Sequence, residues 1–160
     1  MKDAIIYREK ALRIWKEKNN IENIGNCNRF LSRLWWCDGN LKKAENYGME
    51  AIKVFDNEPA SKAKAMAFSN MAHLKMMANE ADDCMFWGEK AITMAKELGD
   101  EETLCHALAS IGQVQARTQA PKKNDTSLLQ QSLDIALRNN YDEQAMRAYS
   151  ILARNVVWMK

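Results

Sequence analysis

The chain has 160 residues, 47% of them apolar, and its 23 basic and 21 acidic side chains leave a formal net charge of +2. That length supports one domain with a core of its own, the near balance gives no general pull toward nucleic acid or membrane, and no stretch of about 18 apolar residues is present to span a bilayer. Six glycines and two prolines leave few places to turn, so helix is favoured, and the apolar run after Lys2 and Asp3 ends at Arg8, too soon for a signal peptide, which points to a soluble cytoplasmic chain.

Apolar spacing predicts eight helices, near residues 2 to 19, 22 to 37, 40 to 56, 60 to 78, 80 to 98, 101 to 118, 125 to 139 and 142 to 159, with no strand. The first, "DAIIYREKALRIWKEKNN", runs into "KNNIEN", where Asn and Glu suit a helix N-terminus. "CDGN" separates the second helix from the third, "DNEPAS" the third from the fourth, and "ANEA" the fourth from the fifth, which Asp82 and Asp83 begin after Asn79. "ELGDEE" precedes the sixth helix and "NNYDEQ" the eighth. Between the sixth and seventh lies "TQAPKKNDTS", the longest break and the expected mobile segment.

These helices repeat with a period of about forty residues. "REKALRIW", "GMEAIKVF", "GEKAITMA" and, after one inserted residue, "LQQSLDIA" align, placing Ala11, Ala51, Ala91 and Ser132 in one slot. "NRFLSRL", "FSNMAHL", "LASIGQV" and "YSILARN" align likewise. Leu31, Met71, Ile111 and Leu152 then coincide, and Ser32, Ala72, Gly112 and Ala153 beside them are all small. Two helices packed at close range need a small residue at some facing positions and a large aliphatic beside it, so the repeat unit is a helical hairpin. Cys84 and Asp125 stand where Ala4 and Ala44 stand in other units.

"DGNLKKAENYGMEAIKVF" resembles the second half of a tetratricopeptide repeat, with Gly39 at the turn and Ala44 and Ala51 at the small packing positions. "AMAFSNMAHLKMMANEADDCMFWGEKAITMAKELGDEETLCHALASIGQ" and "SLLQQSLDIALRNNYDEQAMRAYSILA" are similar to the tetratricopeptide-like regions of bacterial LuxR-type transcriptional regulators and signal-transduction ATPases. The resemblance implies an all-α fold, a right-handed superhelix of antiparallel helix hairpins. Its units would be a half repeat at 1-20, repeats at 21-58, 59-99 and 100-140, and a half repeat at 141-160, together a single domain excised from a longer protein. No GxxxxGK[ST] phosphate loop occurs in the chain.

Catalytic chemistry has little to stand on. His73 and His106 have no Ser, Cys or carboxylate at a spacing that declares a triad or a metal site, and no cofactor or metal is expected. Met66, Met71, Met76, Met77, Met85 and Met94 follow helical spacing and read as core or groove lining. Cys27 and Cys37 on one helix lie about 15 Å apart at ~1.5 Å per residue, so with Cys84 and Cys105 they read as small buried thiols.

Binding is better supported. By the resemblance, the first helix of each unit lines the concave side. Arg33, His73, Gln113 and Arg154 then form one column and Arg29, Ser69, Ala109 and Ser150 another, one turn earlier. One turn later come Trp36 or Cys37, Met76 or Met77, Arg117 and Trp158, with His106 and Arg147 near the starts of their helices. Such a groove suits a peptide or protein partner bearing acidic groups, which Arg clamps while Trp supplies contact area. A structural spacer that self-associates into a homodimer through Val157 and Trp158 is the other reading; neither involves membrane or direct nucleic-acid binding. Trp35 occupies a packing slot, with Lys75 and Gln115 at the equivalent places, and Trp36 should turn toward the groove edge about 100° further round the helix.

Overall fold

The computed structural model describes residues 1–118 and 125–157, with side chains through Arg154. Among the described residues the chain is all helical, with eight helices: α1 Lys2–Glu17, α2 Ile21–Cys37, α3 Leu41–Val54, α4 Lys62–Met77, α5 Ala81–Glu97, α6 Glu101–Thr118, α7 Ser127–Asn139 and α8 Asp142–Val157. None of these is long and apolar enough to cross a membrane. Residues 119–124 of the expected mobile loop, and Trp158, lie outside the described residues, as do the side chains of 155–157.

Short polar residues set the boundaries. The Asn20, Asn40 and Ser61 side chains accept from the backbone N–H three residues on, at 3.0, 3.1 and 3.2 Å, and so begin α2, α3 and α4. Five helices end on a left-handed residue, Asn19, Gly39, Asn79, Gly99 or Asn140. In each case the next N–H returns to a carbonyl five residues back, as from Asn40 to Trp35 and from Asp100 to Ala95, and the chain reverses within a few residues.

Consecutive helices pack as hairpins, and α2, α4, α6 and α8 also pack on one another in series, whereas no two odd-numbered helices approach closely among the described residues. The even-numbered helices therefore form an inner layer. The small slots hold the layers together: Ala44, Ala51, Ala72, Ala91, Cys84, Ser32 and Ser132 are all buried. At Ser132 the hydroxyl donates to the Cys105 carbonyl at 2.8 Å, so a polar residue is accommodated between α6 and α7 without an orphan group. Asp125 disturbs nothing, because it is exposed and precedes α7. Ala153, in the small slot of the last unit, is exposed, since α8 is the last described helix of the inner layer.

Two expectations are corrected. Cys37 is exposed at the end of α2, whereas the other three cysteines are buried. Trp36 does not reach the inner face: the turn at Gly39 folds α3 straight back along α2, and Trp36 lines a small cleft with Leu41, Glu45, Leu74 and Lys75. Trp35 packs on two core clusters and carries the Lys43 ammonium 3.8 Å from its ring centroid. Lys75, the residue equivalent to Trp35 in the next unit, solves the same problem with charge. It pairs with Glu45 at 2.5 Å and Glu80 at 2.6 Å, joining α3, α4 and the start of α5. Both tryptophans are half-buried, so Trp35→Ala and Trp36→Ala are each expected to lower stability by roughly 2 kcal/mol, below the ~3 to 5 of a fully buried aromatic. Urea unfolding checks this, and an unchanged midpoint for Trp36→Ala would remove it from the packing.

Candidate functional site

Side-chain contacts between units follow a stagger that differs from the sequence repeat. Ser69 meets His106 and Ser110 meets Arg147, each pair 37 residues apart; Ser32 with Asn70 and Asn79 with Arg117 are 38 apart. A side chain therefore touches the next unit two to four residues before the equivalent position. At ~1.5 Å rise per residue this is an offset of roughly 3 to 6 Å, the signature of neighbouring helices that do not run level with each other.

This stagger regroups the predicted site. Arg147 of α8 reaches over Ser110 of α6, donating to its Oγ at 2.7 Å, and ends 2.7 Å from His73 Nδ1 on α4. A guanidinium only donates, so His73 Nδ1 is bare and the ring is neutral with its proton on Nε2. Ser69 Oγ lies 2.7 Å from His106 Nδ1, and the two imidazoles meet edge to face with centroids 5.7 Å apart. Burial first, then Arg147 and Arg33, pull the His73 pKa down to about 3; burial first, then Arg147, hold His106 well below its ordinary value.

Arg33 Nη2 on α2 donates to Glu143 Oε1 on α8 at 2.8 Å. Helices packed in a straight row at roughly 8 to 10 Å per step would place α2 and α8 about 25 to 30 Å apart, beyond the joint reach of Arg and Glu. The inner layer must therefore curve. Arg29, one turn before Arg33, stacks its guanidinium 4.2 Å from the Phe30 centroid, and its Nε is buried without a hydrogen-bond partner. Burial and the neighbouring Arg33 pull the Arg29 pKa down to about 10, and the same two causes do so for Arg147, so both remain cations at neutral pH.

The curve frames an open cavity of about 580 Å³ between the starts of α4, α6 and α8 and the first three turns of α2. Glu22, Asp100, Glu101, Glu102 and Glu143 line it, opposed by Arg29, Arg33 and Lys62, with His106 also on its wall. Phe30, Met66 and Tyr141 supply its apolar surface. The carboxylates come from helix starts, where they favour the dipole, so the same residues that begin α2, α6 and α8 make the cavity acidic.

The remaining predicted residues lie elsewhere. Met76 is corrected from groove to core: it is 1% exposed and packs with Ala72, Cys84 and Val114, because α5 folds over that side of α4. Met77 is exposed. Arg117 donates to Asn79 Oδ1 at 2.6 Å, Ser150 donates to its own helix at the Met146 carbonyl, and Gln113 is half-buried. Arg154 is exposed and makes no hydrogen bond or ion pair with Arg33 or His73, so the level column Arg33, His73, Gln113, Arg154 is not a contact column. Sequence reasoning missed Glu143, Ser110 and the carboxylates at the start of α6, although a search at 37 residues in place of forty pairs Ser69 with His106 and Ser110 with Arg147. Compared with known proteins, the chain matches no family model and no curated protein sequence.

Proposed function

We propose that the chain is a protein-interaction module without catalytic activity of its own, a tetratricopeptide-like region of the kind found in bacterial LuxR-type regulators and signal-transduction ATPases, which holds a peptide or partner domain against its inner face. The observation that carries this reading is the state of two cations there: neither Arg29 nor Arg147 has a carboxylate within ion-pair distance among the described residues. A desolvated guanidinium whose nearest carboxylates, Glu102 and Glu143 for Arg29 and Glu143 for Arg147, act only from beyond ion-pair distance is costly and offers bidentate recognition to a carboxylate that a partner brings. The neutral imidazoles beside them add hydrogen bonds and no competing negative charge.

Retention of acid-rich and neutral peptides on the immobilised chain tests the proposal. Acid-rich segments should be retained, with an affinity that falls with salt and drops about tenfold or more in Arg29→Gln/Arg33→Gln. Equal retention by the variant, with the same salt dependence, would remove the inner face from the function. A spacer role finds support in the apolar surface at the two ends, where Ile6 and Tyr7 on α1 and Met146 and Tyr149 on α8 are 48%, 68%, 66% and 52% exposed. Concentration-dependent dimerisation abolished by Tyr7→Ser or Tyr149→Ser, together with no peptide retention, would favour that reading.

A further inference from the structure

The charges of the cavity divide into those already paired and those left over. Arg33 is joined to Glu143, and Glu101 is held by Arg138 and Asn139. Asp100 is buried and accepts from the Thr103 N–H at the start of α6. What remains without an ion pair among the described residues is Arg29 and Lys62 among the cations and Glu22, Glu102 and the buried Asp100 among the carboxylates. The unpaired charge thus has both signs.

That mixture of signs selects the ligand. A simple cation would meet the desolvated Arg29, and a small anion with no cationic group would leave Glu22 and Glu102 unanswered. A molecule with one carboxylate and one ammonium, separated by a short body, satisfies both sets. The volume of about 580 Å³ falls among pockets that take drug-sized molecules, ~300 to 1,000 Å³, and leaves a free amino acid loosely held. Phe30, Met66 and Tyr141 offer apolar wall to small side chains, and Asn26 and Gln144 offer donors and acceptors to a peptide backbone.

We propose that this cavity binds short peptides of two or three residues with both termini free. Their carboxylate lies on Arg29, backed by Lys62, and their ammonium faces Glu22 and Glu102. Arg29 has the geometry for this role, since its guanidinium is fixed against Phe30 and its donors are not committed to a protein carboxylate. The inference rests on the inner face being a binding surface and names the ligand of its cavity.

Calorimetric titration of the full chain with dialanine, trialanine, N-acetyl-trialanine, trialanine amide and free alanine tests it. Dialanine or trialanine should bind, with each blocked form of trialanine at least tenfold weaker, and free alanine weaker than both. In Arg29→Gln, trialanine and its amide should bind alike; in Glu102→Gln, which alters an exposed side chain and keeps the test open if the first variant does not fold, trialanine and its acetyl form should converge. Blocked and free peptides binding equally to the parent chain, or free alanine binding tightest, would overturn the proposal. Absence of any binding by the alanine peptides while acid-rich segments are still retained would overturn this inference alone, and loss of both would overturn the inner-face reading with it.

Discussion

Gly25→Ala is expected to destabilise the protein by about 2 kcal/mol, although alanine is the better helix former by ~1 kcal/mol. A Cβ built on Gly25 would lie 2.2 and 2.3 Å from Phe55 Cζ and Cε2, far inside contact distance. Phe55 is 2% exposed and sits where α3 ends, in a core cluster with Ile52 and Phe68, so its flat ring has no free volume into which to turn. Overpacking of this kind costs ~1 to 3 kcal/mol and more where the neighbour is rigid, which outweighs the propensity gain. Urea unfolding of Gly25→Ala and of Gly25→Ala/Phe55→Leu gives the check. The double variant should recover part of the loss, and a single variant as stable as the parent would show that the α2 and α3 hairpin is looser than its spacing implies.

Acid should weaken the fold through its two inner histidines. The sign follows from which state binds the proton: His73 has its folded pKa near 3 and His106 is also strongly depressed, whereas in the unfolded chain both titrate near ~6.5. Between those values the unfolded chain holds more protons. The stability contributed by neutral histidine is therefore complete above about pH 6.5 and is lost as the pH falls toward the folded pKa. The limiting slope is about 1.4 kcal/mol per pH unit for each histidine, so unfolding at pH 7 and at pH 5 should differ by a few kcal/mol. His73→Gln, which keeps a group able to accept from Arg147, should halve the slope. A profile that is flat from pH 7 to 5 would mean that the imidazoles take up protons in the folded state, against the positive charge of Arg147 and Arg33.

The sequence carries the hairpins because their determinants are local or nearly so. The small slots at Ala44, Ala51, Ala72 and Ala91 and the large residues at Leu31, Met71 and Ile111 record how closely two helices approach, and all are buried. Helix ends were legible for the same reason, since Asn20, Asn40 and Ser61 act on N–H groups three residues away. The inner face was legible only in composition. Arg29, Arg33, His73, His106 and Arg147 do lie together, but which of them touch depends on the offset between neighbouring helices, and a forty-residue alignment carries no information about that offset. Trp36 and Met76 were misplaced because helical spacing shows that two residues share a face without showing which helix covers it.

The pairs Arg33 with Glu143 and His73 with Arg147 also bear on how the molecule comes apart. In a stack of repeats whose units touch only their neighbours, stability is a sum along a line, and one end can fray without the other sensing it. Here α2 is tied to α8 and α4 to α8, across 110 and 74 residues, so each tie passes over at least one intervening helix of the inner layer. These ties are made by side chains alone, since among the described residues α8 packs only on α6 and α7, and loss of α8 would release one side chain on α2 and one on α4. The two ties therefore couple α2 and α4 to α8 through side chains that helix-on-helix packing alone would leave apart.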